Sequence, residues 1–280
     1  MKIGIDLGGS HIAIGVVDKR GKIIEKVEKR ILASEKNNIK KALITGSGRG
    51  IGRQMAIELA SEGIFVFVHY AGNDEQANIT KNMIESAGGK CALIKKNLCD
   101  EDCADYIYSQ TGDVDILIHN ASVQYRKKWA EITEEEFCDQ INCNLKAPLF
   151  LTQKYVPHMK EEGWGRIISV GSVQEKKPHD DMLVYSSSKC ALTGMMRSLA
   201  LQLCGTGITV NSIAPGVIAT DRNAESLADD KYRSVVLSKI PMNRAGDASE
   251  FRGIVRLLCS DDASYITGQN IFVDGGMGIK

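Results

Sequence analysis

An apolar run at residues 42–45 leads straight into Thr45-Gly46-Ser47-Gly48-Arg49-Gly50-Ile51-Gly52, and that into the amphipathic stretch Arg53-Gln54-Met55-Ala56-Ile57-Glu58-Leu59-Ala60. Strand, glycine turn and helix in this order constrain the fold more than any other feature, because a strand that feeds a helix returns to its sheet by a crossover and pairs in parallel. The alternation continues along the chain. Short apolar runs at residues 64–69, 91–95, 116–119, 166–170, 209–214 and 271–273 read as six further strands. The periodic segments 52–61, 76–87, 134–160 and 186–204 are long enough to be crossover helices.

Seven strands joined by right-handed crossovers predict an α/β fold: a doubly wound, parallel, seven-stranded sheet of the Rossmann type, three layers deep. A chain of 280 residues, 43% hydrophobic, buries a sizeable core as one such domain, expected at residues 38–280, with room for a small appendage. The appendage is residues 1–37. There, 3–7, 11–18 and 22–31 alternate in strand fashion around turns at Gly8-Gly9 and residues 18–21, which predicts a three-stranded antiparallel β-meander. Polar residues 34–40 read as a connector.

Lys plus Arg and Asp plus Glu both number 35, so no basic field favours nucleic acid or an anionic membrane, and a small-molecule substrate is the default. No apolar run approaches the ~20 residues that span a bilayer, and the opening MKIGIDLGGSHIAIG has no secretory pattern, so a cytoplasmic location is expected. Eight cysteines without a CxxC pair read as reduced thiols, and no metal site is expected.

The glycines at 45–52 allow a tight turn, close approach of backbone to a pyrophosphate, and contact of helix with sheet, while the helix start offers unpaired N–H groups. Cofactor choice turns on charge near the adenosine ribose. A carboxylate at the end of the second strand suits NAD, and an arginine suits the 2′-phosphate of NADP. That strand ends Val68-His69-Tyr70-Ala71-Gly72 without an acid, and Arg49 sits in the loop, so NADP is favoured; Asp74 and Glu75 just downstream keep NAD in view.

Tyr185 and Lys189 are four apart on a helical segment and so share a face. An ammonium beside a phenol stabilises the phenolate, which brings proton exchange with a carbinol or carbonyl oxygen within reach of neutral pH. Ser172, just past the strand at 166–170, is placed to point into a crevice at the carboxyl edge of the sheet. With the loop at 45–52, Asn144, Ser172, Tyr185 and Lys189, the run Asn211-Ser212-Ile213-Ala214-Pro215-Gly216, and the ending from Thr267 to Gly276, the chain resembles the short-chain dehydrogenase/reductase family over residues ~39–280.

The resemblance implies that Tyr185 exchanges the proton, Lys189 tunes it and holds the nicotinamide ribose, Ser172 bonds the substrate oxygen, and Asn144 supports a water relay toward Lys189. It implies cofactor contacts from Thr45, Gly46, Ser47, Arg49, Gly50, Ile51, Gly52, Asn97, Leu98, Asn120 and Ala121, with Pro215 and Gly216 beside the nicotinamide and Thr220 at its carboxamide. It further implies a homotetramer joined through the helices at 134–160 and 185–204. The sequence departs from the pattern in three places. His119-Asn120-Ala121-Ser122 replaces Asn-Asn-Ala-Gly, Asn97 stands where an aspartate often meets the adenine, and Gly171 replaces a serine before Ser172. For His119, a strand-end residue bonded within the core is a stronger reading than a catalytic one.

The polar loop 173–182 suits a hydroxylated substrate, and Gln174 and Pro178 in this context look similar to reductases of sugar acids such as gluconate. A sugar, polyol or hydroxy acid is therefore expected, with a 3-oxoacyl-carrier-protein reductase as the alternative and a non-catalytic nucleotide-binding regulator as the alternative of another class. Residues 217–245 read as a mobile helical lid. The opening Ile3-Gly4-Ile5-Asp6-Leu7-Gly8-Gly9-Ser10 resembles the start of an actin-like-superfamily sugar kinase, but no kinase lobe follows it.

Overall fold

The computed structural model describes residues 39–279 and, as backbone strands, residues 2–8, 11–17 and 23–30. The chain divides into two compact units, Met1–Ile39 and Lys40–Lys280. In the first, β1 (Lys2–Gly8), β2 (His11–Val17) and β3 (Ile23–Arg30) form an antiparallel sheet in that order, with Ile5 opposite Ile14 and Ile14 opposite Val27. The predicted meander is present. Position 9 of its first turn, its second turn at 18–21, and positions 34–38 of the connector lie outside the described residues.

The second unit alternates strand and helix: β4 (Lys41–Ile44), α1 (Gly50–Ser61), β5 (Phe65–Tyr70), α2 (Asp74–Ser86), β6 (Cys91–Lys95), α3 (Cys103–Thr111), β7 (Ile116–His119), α4 (Glu134–Ile141), α5 (Ala147–Glu161), β8 (Gly165–Val170), α6 (Leu183–Leu203) and β9 (Ile208–Pro215). Beyond them come β10 (Ile218–Ala219), α7 (Asp221–Ala228), α8 (Asp230–Ser238), β11 (Gly246–Asp247), α9 (Arg252–Cys259) and β12 (Asn270–Val273). Seven strands run parallel in the order β12-β9-β8-β7-β4-β5-β6, the predicted doubly wound sheet. Two short strands, β10 and β11, pair separately.

Strand side chains alternate faces, and each face has its own apolar layer. Ala42, Ile44, Val66, Val68, Ile116 and Ile118 pack with α1 and α9. Leu43, Phe67, Leu117 and Ile167 pack with α3, α5 and α6. Helices on both faces are why the strands read as continuous hydrophobic runs. Two helices were not anticipated. α3 and α9 are only nine and eight residues long, below the length at which a 3.6-residue period stands out.

The helix predicted across 134–160 is interrupted. α4 starts at Thr133, whose side chain and that of Glu136 form a reciprocal cap. Residues Asn142–Lys146 then widen into a π turn before α5. The lid segment holds β10, α7 and α8 as predicted for a helical insertion.

Candidate active site

A cavity of about 870 Å³ opens at the carboxyl edge of the parallel sheet. Gly46, Tyr70, Asn97, Asn120, Ser172 and Gly216, each at or just beyond a strand end, line it. It spans β4 and β7, neighbours in the sheet from which the chain winds in opposite directions, the place where open α/β sheets bind ligands.

The glycine loop is shaped by backbone contact. At Gly46 φ is +65°, and a Cβ there would stand 2.8 Å from Ala121 Cα; at Gly52 it would stand 2.4 Å from Asn120 Nδ2 and 2.7 Å from the Gly46 carbonyl. Asn120 Nδ2 donates to the Thr45 and Gly46 carbonyls, both at 2.9 Å. The N-terminus of α1 has no side-chain cap, while Arg49, Gly50, Ile51 and Gly52 face the cavity. Unpaired amides behind a side-chain-free cradle fit a pyrophosphate.

Thr45 and Ser47, expected at the cofactor, lie outside the cavity lining. Their hydroxyls serve the frame instead: Thr45 Oγ1 accepts from the Asn120 and Ala121 amides at 3.0 and 3.1 Å, and Ser47 Oγ donates to the Ile44 carbonyl at 2.7 Å. Both are buried at the loop base.

Sequence reasoning missed His69. Its Nδ1 accepts from the Gly46 amide at 3.2 Å, its Nε2 donates to the Lys96 carbonyl at 2.9 Å, and its own carbonyl accepts from Ser47 N at 2.9 Å. Burial pushes its pKa down to about 4, so the ring is neutral and able to accept. Its signal in the sequence was a polar ring near the end of an otherwise apolar strand.

Around the expected adenosine end, Tyr70, Ala71, Gly72, Asn73, Asn97 and Leu98 line the cavity, with Arg49 across from them. Asp74 and Glu75 do not line it. The Lys95 ammonium and the Tyr70 hydroxyl, each 2.8 Å from an Asp74 oxygen, hold that carboxyl below its usual range, Lys95 most strongly. Arg49 Nη1 lies 3.7 Å from Asp221 Oδ2 in an exposed pair.

Tyr185 falls in the first turn of α6, and Lys189 one turn on. Both line the cavity and are nearly inaccessible. Lys189 Nζ donates to the Val170 carbonyl at the end of β8 at 2.7 Å and lies 5.7 Å from the centre of the Tyr185 ring. Burial lowers the lysine pKa, and the charge of Tyr185 opposes that. Ser172, also lining the cavity, accepts the Gln174 amide at its Oγ at 3.1 Å, which leaves the hydroxyl proton to donate elsewhere. Pro215, Gly216 and Thr220 line the same wall.

Asn144 sits in the π turn, fully buried and outside the lining. Its amide is spent on the Val123 backbone, accepting at 2.8 Å and donating at 2.9 Å, and on Ser188 Oγ at 3.0 Å. The side chain therefore clamps the strand-end loop to α6. His119 is likewise buried outside the lining. Its Nε2 donates to Thr152 Oγ1 at 3.0 Å, Nδ1 has no partner, and desolvation, with the Lys189 charge second, pushes its pKa down to about 3.

Gln124, Arg126, Gln174, Lys177, His179 and Asn223 make the open side polar, against Met182, Leu227, Val235 and Met277. Gln174 Oε1 accepts from Ser186 Oγ at 2.7 Å, fixing the amide. The lid is tied across the cavity mouth. Arg222 donates to Ser122 Oγ at 2.9 Å and to its carbonyl at 2.8 Å, and Arg126 donates to Tyr232 Oη at 3.0 Å. Ser122, a departure from the family glycine, thus receives the lid.

A phosphate-ready helix start at the switch point of a doubly wound sheet, with a tyrosine and a buried lysine on the next wall, belongs to the class of nicotinamide-dependent oxidoreductases. The family model described as enoyl-(acyl carrier protein) reductase matches residues 46–278. A 3-oxoacyl-[acyl-carrier-protein] reductase of Staphylococcus aureus is 37% identical over 242 residues, 85% of this chain and 98% of its own. Among solved structures, a 3-oxoacyl (acyl-carrier-protein) reductase of Agrobacterium tumefaciens with NADP bound is similar with a TM-score of 0.80 at 30% identity, covering 84% of this chain and 93% of that one. A candidate NAD(P)-dependent gluconate 5-dehydrogenase of Beutenbergia cavernae, also with NADP bound, gives 0.81 at 30% identity over 86% and 97%. The chain belongs to the short-chain dehydrogenase/reductase family.

Proposed function

We propose that this chain is an NADP-dependent oxidoreductase interconverting a carbonyl and a secondary alcohol on a sugar, polyol or hydroxy acid. The observation that carries the substrate reading is the polar wall beside Tyr185, where Gln174 is held by Ser186 and neighbours Lys177 and His179. Fixed amides and charges on this wall reward hydroxyl and carboxylate groups, while Met182, Leu227, Val235 and Met277 face them with apolar surface. Preference for NADP is supported by Arg49, by the missing acid at the end of β5, by the compensated charge of Asp74, and by relatives that carry NADP.

When bound, the nicotinamide supplies or accepts the hydride. Gly46, Gly50, Ile51, Gly52, Asn120 and Ala121 would hold the dinucleotide, with Asn97 and Leu98 toward the adenine and Pro215, Gly216 and Thr220 toward the nicotinamide. In reduction Tyr185 Oη donates its proton to the developing alkoxide while Ser172 Oγ donates a hydrogen bond to the same oxygen; in oxidation Tyr185 takes the proton back and Ser172 still donates to that oxygen. Lys189, anchored on the Val170 carbonyl, keeps positive charge beside the phenolate. Asn144 holds the Val123 loop against α6, so any relay toward Lys189 runs through groups other than its amide.

A 3-oxoacyl-carrier-protein reductase is the second reading, favoured by the 37% identity to the staphylococcal enzyme. NADPH consumption measured with a panel of ketosugars, keto acids and acetoacetyl thioesters separates the two. Preference for keto acids or ketosugars upholds the first, preference for thioesters the second, and no turnover with any of them points to a nucleotide-binding regulator. A cytoplasmic location is part of the proposal, supported by eight free cysteines and by the absence, among the described residues, of a helix long and apolar enough to cross a membrane. The N-terminal meander is proposed as an appendage for solubility or assembly, and assembly as a homotetramer.

A further inference from the structure

Glu175 lies outside the cavity lining and in none of the motifs that mark the family, yet its carboxylate joins two parts of the site. Oε1 accepts the backbone N–H of Ser172 at 2.8 Å, closing a reciprocal cap over the 3-10 turn Val173–Glu175. Oε2 accepts from Asn270 Nδ2 at 2.7 Å, on β12 at the far edge of the sheet. A Cβ at position 171 would stand 2.1 Å from Oε1, so the glycine found in place of a serine is what lets the carboxylate in.

The arrangement leaves a polar atom unsatisfied: Asn270, turned to donate to Glu175, leaves its own Oδ1 buried without a partner. Buried polar groups are ordinarily paired, so a contact retained at this cost is expected to serve the site as well as the fold. Ser172 is the residue it touches. With Oγ already accepting from Gln174, the direction of the remaining O–H follows the backbone of Ser172, which Glu175 fixes.

We propose that Glu175, braced by Asn270, is a positioning residue that aims the Ser172 hydroxyl at the substrate oxygen. The proposal rests on the role given to Ser172 above. Glu175→Gln keeps an oxygen for the Ser172 amide and presents an NH2 to Asn270, whose amide flips to bring the unpaired Oδ1 into a hydrogen bond.

The test measures NADPH oxidation by the full chain with 5-keto-D-gluconate and with acetoacetyl-coenzyme A, alongside NADPH affinity and melting temperature. Glu175→Ala is expected to lower kcat about tenfold to a hundredfold and to lower the melting temperature, with KM and NADPH affinity changing little. Glu175→Gln is expected to restore most of the loss, and Asn270→Ala, the variant that decides the matter should Glu175→Ala fail to fold, to lower kcat severalfold. Because Glu175 acts through Ser172, the Ser172→Ala/Glu175→Ala double variant is expected to be no slower than Ser172→Ala. Unchanged kcat in Glu175→Ala, additive losses in the double variant, or a Gln variant as impaired as the Ala one overturns the proposal. Where Ser172→Ala is itself at full speed, the role of Ser172 has failed and this inference with it; where Ser172→Ala is slow and Glu175→Ala is not, this inference alone has failed.

Discussion

Taking an ammonium out of water disfavours its charge, and at Lys189 a backbone carbonyl and a neighbouring phenol are what it receives in return. The pair works only if the phenol carries the proton, so Tyr185→Phe is expected to lower kcat by about 10²–10⁴-fold while NADPH titration stays within a few-fold of the parent. Tyr185, Lys189 and Ser172 were legible because four-residue spacing and a strand end place side chains without knowledge of the rest of the fold. Thr45, Ser47 and Asn144 were legible as positions, but their burial decided that they frame the cavity.

His69 was not legible, whereas His119 was read from its strand-end position as a residue bonded within the core, which is where it lies. Both have pKa values depressed from 6.5, to about 4 and about 3, so the unfolded chain binds more protons than the folded one once the pH falls below about 6.5. Stability is therefore expected to rise with pH across roughly 4 to 6.5, each ring accounting for about 3 kcal/mol or more over that window. His119→Asn, the residue usual in the family, is expected to fold and to make the acid-side slope of unfolding free energy against pH shallower by about one proton, as read by urea melts at pH 5 to 7. An unchanged slope would mean that the ring is not held neutral.

At the level of elements, the strand-loop-helix unit was visible because glycine spacing is a local property. What the glycines must clear was not: Gly52 faces Asn120, 68 residues on in sequence. Gly52→Ala is expected to weaken NADPH binding at least about tenfold, a loss of about 1.4 kcal/mol, measured by fluorescence titration. The π turn between α4 and α5 was not read from the pattern at 134–160; within it Asn144 holds Val123, 21 residues away in sequence. The lid contacts cross about a hundred residues, and Ser122→Gly removes one of the two Arg222 bonds. Stopped-flow measurement is expected to show NADPH leaving this variant severalfold faster; equal rates would mean that the tie does not govern release.

For the whole molecule, the order of strands and helices was enough to select the fold class, and the N-terminal meander announced itself by period-two alternation. It forms a compact unit of its own, and a chain lacking residues 1–37 should keep kcat near the parent value while its solubility or mass in light scattering changes; loss of turnover in a folded truncation would contradict the appendage reading. Phe137 on α4, Phe150 on α5 and Leu183 and Leu201 on α6 are exposed, on the helices where the family resemblance places subunit contacts. The amino-acid order alone determined the doubly wound sheet, the phosphate loop and the tyrosine-lysine pair, because each depends on spacings of a few residues along one element. Only the tertiary structure decided which polar groups face the cavity, which brace it, and that Glu175 reaches both Ser172 and Asn270, because these depend on burial and on contacts between segments far apart in the chain.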